Sequence, residues 1–132
     1  MSPPAATNEA RLLVREGPLL ESVLGRVVGM LAARARCPVD RLDDALLVTD
    51  AIAAHAGGFG LGDRIGVTVT ADESSISLVV GPLRAQGATG LLRASDLPGV
   101  GNVLERVADA TETGHDDSGD EQLRVRIAFQ PV

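Results

Sequence analysis

Two helices with apolar stripes, two alternating strands that follow each other directly, and one more alternating strand near the end of the chain predict an α+β fold. The expected architecture is a two-layer α/β sandwich: a mixed, mostly antiparallel sheet carrying three helices on one face. At 132 residues the chain suffices for one domain with a single core. Residues 11–132 are expected to form that domain. Residues 1–10, small and polar with two prolines, are expected to be a disordered tail.

The first strand is short, Arg11-Leu12-Leu13-Val14-Arg15. Gly17-Pro18 breaks it and starts a helix, because proline suits a first helical turn. Leu20, Val23, Leu24, Val27, Leu31 and Ala35 recur at helical spacing, while Arg26, Arg34 and Arg36 lie off that face. Pro38 is expected to end this helix, and Asp40 to cap the next one. On the second helix, residues 42, 45, 46, 49, 52, 53 and 56 form the apolar or small stripe. Asp43, Leu47, Asp50 and Ala54 form another stripe leading to the Gly57-Gly58-Phe59-Gly60 turn.

Ile65, Val67, Val69 and Ala71 alternate with Gly66, Thr68 and Thr70, a half-buried strand. Asp72-Glu73-Ser74-Ser75 connects it to a second one with Ile76, Leu78 and Val80 inward. Gly81-Pro82 stops that strand. Residues 83–98 read as a long connection, the length at which lids and binding loops occur. Gly99-Val100-Gly101-Asn102 then opens a third helix with Val103, Leu104, Val107 and Ala108 on its stripe. Residues 112–120 read as an acidic loop, and Leu123, Val125, Ile127 and Phe129 mark the last strand.

Composition excludes several functions. Net charge is −6 and aromatics are 2%, with no Trp or Tyr, so neither a phosphate-backbone grip nor base stacking is supported; no direct nucleic-acid role is expected. All 12 basic residues are Arg, which removes Schiff-base and P-loop lysine chemistry. The single Cys37 cannot form an internal disulfide and reads as a packed thiol. No secretory or membrane-spanning segment is apparent, so a cytoplasmic location is expected. His115 beside Asp116, Asp117, Asp120 and Glu121 reads as a solvated loop rather than a metal cluster, and no metal is assigned. His55 reads as a helix-end residue suited to the macrodipole. Neither Cys37 nor Ser95-Asp96 has a base beside it in sequence, so no nucleophile set is visible.

The element order, the acidic helix before the glycine turn, and the run Gly99-Val100-Gly101-Asn102-Val103-Leu104-Glu105-Arg106-Val107-Ala108-Asp109 resemble the GHKL (Bergerat) ATPase fold in its small form. That form is the anti-sigma-factor serine kinases of the RsbW and SpoIIAB type. The run Arg41-Leu42-Asp43-Asp44-Ala45-Leu46-Leu47-Val48-Thr49-Asp50-Ala51 is similar to the approach to that family's N box. The resemblance implies an acidic base at Asp50 and a Mg²⁺-holding Asn at the position of Ala54. It also implies an adenine-binding Asp at the position of Gly81, a further glycine at that of Leu83, and a phosphate-facing turn at Gly99, Val100 and Gly101. Ala54 offers no oxygen to a cation that demands octahedral oxygen ligands, and Gly81 offers no carboxylate. The implied member is therefore degenerate, with no cofactor expected; ATP and Mg²⁺ enter only if the site is functional.

The family also sequesters a sigma factor and is released by a STAS-type anti-anti-sigma partner. The first expected function is accordingly an anti-sigma-type regulator, expected as a homodimer, with Arg26 as the partner-contact residue by resemblance. A second is a working serine kinase with Asp50 as base. A third is a small-ligand sensor in the old nucleotide pocket, with Leu83, Leu91, Leu92 and Leu97 under the 83–98 segment.

Overall fold

The computed structural model describes residues 7–15 and 17–129. Its main sheet has five strands in the order β1-β2-β3-β7-β6, formed by β1 (Asn8–Arg15), β2 (Arg64–Ala71), β3 (Ser75–Leu83), β6 (Ala110–His115) and β7 (Glu121–Ala128). Every pairing in it is antiparallel. The register places Leu12, Val67, Val80 and Leu123 in one row across four strands. Strand alternation then puts Ile65, Val67, Val69, Ile76, Leu78, Val80, Leu123, Val125 and Ile127 on the inner face, all buried. The helices cover that face only, which makes the domain a two-layer α+β sandwich with one open sheet face.

The first strand begins at Asn8, so residues 8–10, expected in the tail, extend it and pair with Ala71, Thr70 and Val69 of β2. Residues 1–6 of that tail lie outside the described residues. Helix α1 (Pro18–Arg34) buries Leu20, Leu24, Val28, Leu31 and Ala32. The buried stripe differs from the expected one by running through Val28 and Ala32, while Val23 and Val27 are half-buried. The helix ends before Pro38 is reached. Arg36 adopts a left-handed conformation (φ 59°), its N–H donates to Ala33 O at 3.2 Å, and Cys37 N–H donates to Ala32 O at 3.0 Å. This is a Schellman closure with arginine where glycine is usual.

Helix α2 (Val39–His55) starts two residues earlier than Asp40 as its cap implied. Pro38 occupies the N-cap position, so Asp40 lies in the first turn and no side chain caps the helix. Ala45, Val48, Thr49, Ala51 and Ile52 are buried, and Thr49 donates its hydroxyl to Ala45 O at 2.7 Å. The helix start is instead fixed by Arg41. Its Nε donates to Ala128 O at 2.7 Å and Nη1 to Asp44 at 2.7 Å, and its Nη2 bonds Asp109, which also accepts from Ala128 N–H at 2.7 Å. Three elements distant in sequence are thereby tied together by one guanidinium. At the β2–β3 hairpin, the Asp72 carboxylate accepts from Ser74 N–H (2.8 Å) and Ser75 N–H (3.0 Å). The Ser74 backbone bond is the main reason its carboxyl is held below the usual range.

The largest departures lie between residues 83 and 120. The expected loop at 83–98 contains a helix, α3 (Gly87–Ala94), followed by β4 (Asp96–Leu97) and β5 (Gly101–Asn102) paired as a small hairpin. The expected third helix shrinks to α4 (Val103–Val107), because Asn102 caps it and Ala108 is already extended. The expected acidic loop supplies edge strand β6 through His115. Alternate small and polar residues there have no apolar period, yet Thr111 and Thr113 pair with Val125 and Leu123 and complete the sheet.

Candidate functional site

The residues singled out in the sequence fall in three places. Asp50 and Ala54 are exposed one turn apart on α2. Ala54 lines an open cleft of about 590 Å³ with Ala53, Gly57 and Gly58 on one side and Gly17, Pro18, Leu20 and Glu21 on the other. It lies between the start of α1 and the end of α2. Its walls are mostly small residues, and Glu21 is the one charged group among the described residues lining it.

Gly99, Val100 and Gly101 form the β4–β5 turn, where Gly99 (φ +78°) and Gly101 (φ +84°) take left-handed backbone that favours glycine. This turn reaches α2 through His55, whose Nε2 lies 3.0 Å from Asp96 O. A carbonyl only accepts, so Nε2 carries the hydrogen and donates. His55 thus joins the end of α2 to the glycine hairpin, beyond its expected role at the helix end. The positive helix end expected behind the glycines is already used. Asn102 Oδ1 accepts from Glu105 N–H at 3.1 Å, its Nδ2 donates to Leu92 O at 2.8 Å, and Glu105 stands in the first turn of a five-residue helix.

Gly81 stands elsewhere. It pairs with Gly66 on the open sheet face, where an added Cβ would meet Gln122 Cβ and Glu121 O, each at 3.2 Å. An added Cβ at Gly66 would stand 2.5 Å from Gly81 O, so this pair of positions needs glycine for strand approach. Asp50 with Ala54, the glycine hairpin, and Gly81 therefore occupy a helix face, a hairpin tip and the far side of the sheet. The donor set does not fit a Mg²⁺–nucleotide: Ala54 has no oxygen, and the Asn102 amide is committed to capping. Among the described residues no group of three or more His, Cys, Asp or Glu is gathered to hold a metal ion. His115 is exposed at the end of β6, and Asp116 Oδ1 accepts from Ser118 N–H (2.9 Å) and Asp120 N–H (3.0 Å). Arg26 is exposed on α1. Cys37 is half-buried, and burial pushes its thiol above the ordinary range, the direction of a less reactive sulfur.

Sequence reading missed the pins of the 83–108 segment. Glu121 accepts from Gln86 N–H at 2.6 Å and Ala88 N–H at 3.2 Å, capping α3 from a distant strand. Phe59 packs so closely on Gly90 that a Cβ there would lie 2.5 Å from its ring. Arg84 covers the same ring at 5.4 Å. Leu83 and Leu91, expected to roof a ligand pocket, are buried in the main core. Only the spacing of Gly87 and Gly90 on one helix face signalled a close neighbour.

An antiparallel sheet with its helices on one face and its other face open defines the class of fold. In that class the chain is similar to a chain of the crystal structure of the SiaB–SiaC complex from Pseudomonas aeruginosa. The TM-score is 0.59 at 12% identity, covering 90% of this chain and 89% of that one; at such identity the likeness is one of fold. No family model matches the chain, and no curated protein matches its sequence. Among the described residues no helix is long and apolar enough to cross a membrane.

Proposed function

We propose that this chain is a regulatory protein that acts by binding another protein. Specifically, it is an anti-sigma-type regulator that engages a sigma factor or a STAS-domain antagonist in the cytoplasm, as a homodimer, and its former nucleotide site is too degenerate for ATP–Mg²⁺ chemistry. The observation that carries this reading is the fold shared with a chain of a two-protein complex, together with alanine at position 54. A surface role survives the loss of a cation ligand, whereas phosphoryl transfer needs metal ions to neutralise developing charge. Arg26, exposed on α1, is the proposed partner contact.

Two measurements test the proposal together. Calorimetric titration with ATP and Mg²⁺ is expected to give no heat up to millimolar nucleotide, an affinity weaker than about −4 kcal/mol. A micromolar, Mg²⁺-dependent signal would overturn the degenerate site and make Asp50→Asn the next variant in a phosphate-transfer assay. Co-elution with sigma factors and STAS proteins of the same host is expected to yield a complex that Arg26→Ala weakens. Failure of every such pair to associate would remove the regulator reading.

A further inference from the structure

The open sheet face carries a charge opposite to that of the whole chain. Its outward positions hold Arg11 and Arg15 on β1, Arg64 on β2, and Arg124 and Arg126 on β7, against only Glu9 and Glu112. With Asp63 beside Arg15 and Asp116 at the trough also counted, five arginines against four carboxylates leave +1 among the described residues of this face, in a chain whose net charge is −6. Arg15 is paired with Asp63 at 4.0 Å and Arg11 approaches Glu9 at 3.9 Å, both at exposed sites where such pairs contribute little. Arg124 and Arg126 are exposed and form no ion pair among the described residues.

Between these arginines the floor is small and uncharged: Gly66, Thr68 and Thr70 on β2, and Ser77, Val79 and Gly81 on β3. A trough of about 300 Å³ lies over Gly66 and Gly81, with exposed Leu13 beside it. Asp116, the one carboxylate among the described residues lining this trough, is engaged by its own turn. From β1 to β7 there are three strand steps, about 14 Å at ~4.8 Å each. An α-helix is roughly 10–12 Å across. It fits lengthwise on the floor, with its flanks facing Arg11 on one side and Arg124 and Arg126 on the other.

We propose that this face docks an amphipathic helix of a partner protein, with small or apolar residues toward the floor and acidic residues on both flanks. The inference rests on the reading that the chain acts by binding protein, and adds a surface opposite the one bearing Arg26. A second copy stacked face to face would set arginine against arginine, so charge complementarity selects an acidic occupant.

The test uses the whole chain and a synthetic helical peptide with glutamates on two flanks of an alanine stripe. Controls are the same peptide with lysine for glutamate, and a DNA duplex. Amide shifts in ¹⁵N spectra are expected at Gly66, Thr68, Val79, Gly81 and Arg124, with salt-sensitive binding and none by the lysine peptide. The double variant Arg124→Glu/Arg126→Glu, on solvent-facing positions, is expected to retain the far-UV spectrum and lose roughly tenfold or more in affinity. The proposal is overturned by silence of those amides at millimolar peptide, by equal binding of the lysine peptide, or by tighter binding of the duplex. Shifts confined to α1 around Arg26 would also overturn it while leaving the regulator reading intact. Loss of sigma and STAS association with the peptide shifts retained would do the reverse.

Discussion

The α1–α2 pair with its sheet and the 83–108 segment are built on different principles. In the first, buried side chains recur every few residues on the same element, as Leu20, Leu24, Val28 and Leu31 do on α1. Each such residue adds apolar burial to one shared core. In the second, short elements are held by single long-range ties: Glu121 to the start of α3, Phe59 against Gly90, His55 to Asp96. The first region is positioned by area along long elements; the second adds Ala88, Leu91, Val103 and Leu104 to the same core, and its short elements are further set by a few contacts whose partners are far away in sequence. Regions of the second kind open at lower free energy than the core that supports them.

The largest expected effect comes from the core. Ile52→Ala removes a side chain that is 0% exposed on α2 and leaves a cavity under both regions. Loss of about 2–5 kcal/mol is expected in urea unfolding followed by far-UV circular dichroism. Amides of α3 should lose protection along with those of β3, since the segment sits on that core. A loss confined to α2 and the sheet would mean that the segment folds independently, which would break the contrast as drawn.

A smaller and local effect is expected at Glu121→Ala. The Gln86 and Ala88 amides lose a charged acceptor at the N-terminal end of a helix that has no side-chain cap of its own. The cost of such a lost cap is about 0.5–2 kcal/mol. Hydrogen exchange of residues 87–94 should accelerate by roughly two- to thirtyfold, the equivalent of that cost at ~1.4 kcal/mol per tenfold, while exchange in β2 changes little. Unchanged exchange in α3 would show that Phe59 and the buried Leu91 hold it without the carboxylate.

The same contrast explains what was legible in the sequence. The helix pair, the β2–β3 hairpin and the last strand were readable because their periods of 3.6 and 2 are printed in neighbouring residues. Helix α3 was not, because Gly87-Ala88-Thr89-Gly90 has weak helical propensity and its cap is a side chain on β7. Strand β6 was hidden for a related reason: the hydrogen-bonded neighbour, not its own polarity, makes it a strand. At the candidate site, single positions were readable and their assembly was not. Gly81 lies two strand residues from Val79, yet only the register shows that it faces away from α2. The arginines of the open face look scattered along the chain, and the pairing of β1, β2, β3 and β7 is what gathers them.

The smallest effect expected is a gain. The Schellman closure of α1 places Arg36 at φ 59°, where a Cβ crowds the following carbonyl. Gly62, Gly99, Gly101 and Gly119 fill the other described left-handed turns with the residue that lacks this penalty, apart from Gln86. Arg36 is exposed, so its side chain contributes little burial to lose. Arg36→Gly relieves the strain but also frees the unfolded chain, and the two effects oppose each other. A net stabilisation of about 0.5 kcal/mol is expected, read as a higher urea midpoint with unchanged slope. A lower midpoint would mean that the guanidinium has a stabilising contact with more influence than the left-handed strain, and the α1–α2 corner would then join the regions held by particular side chains rather than by area.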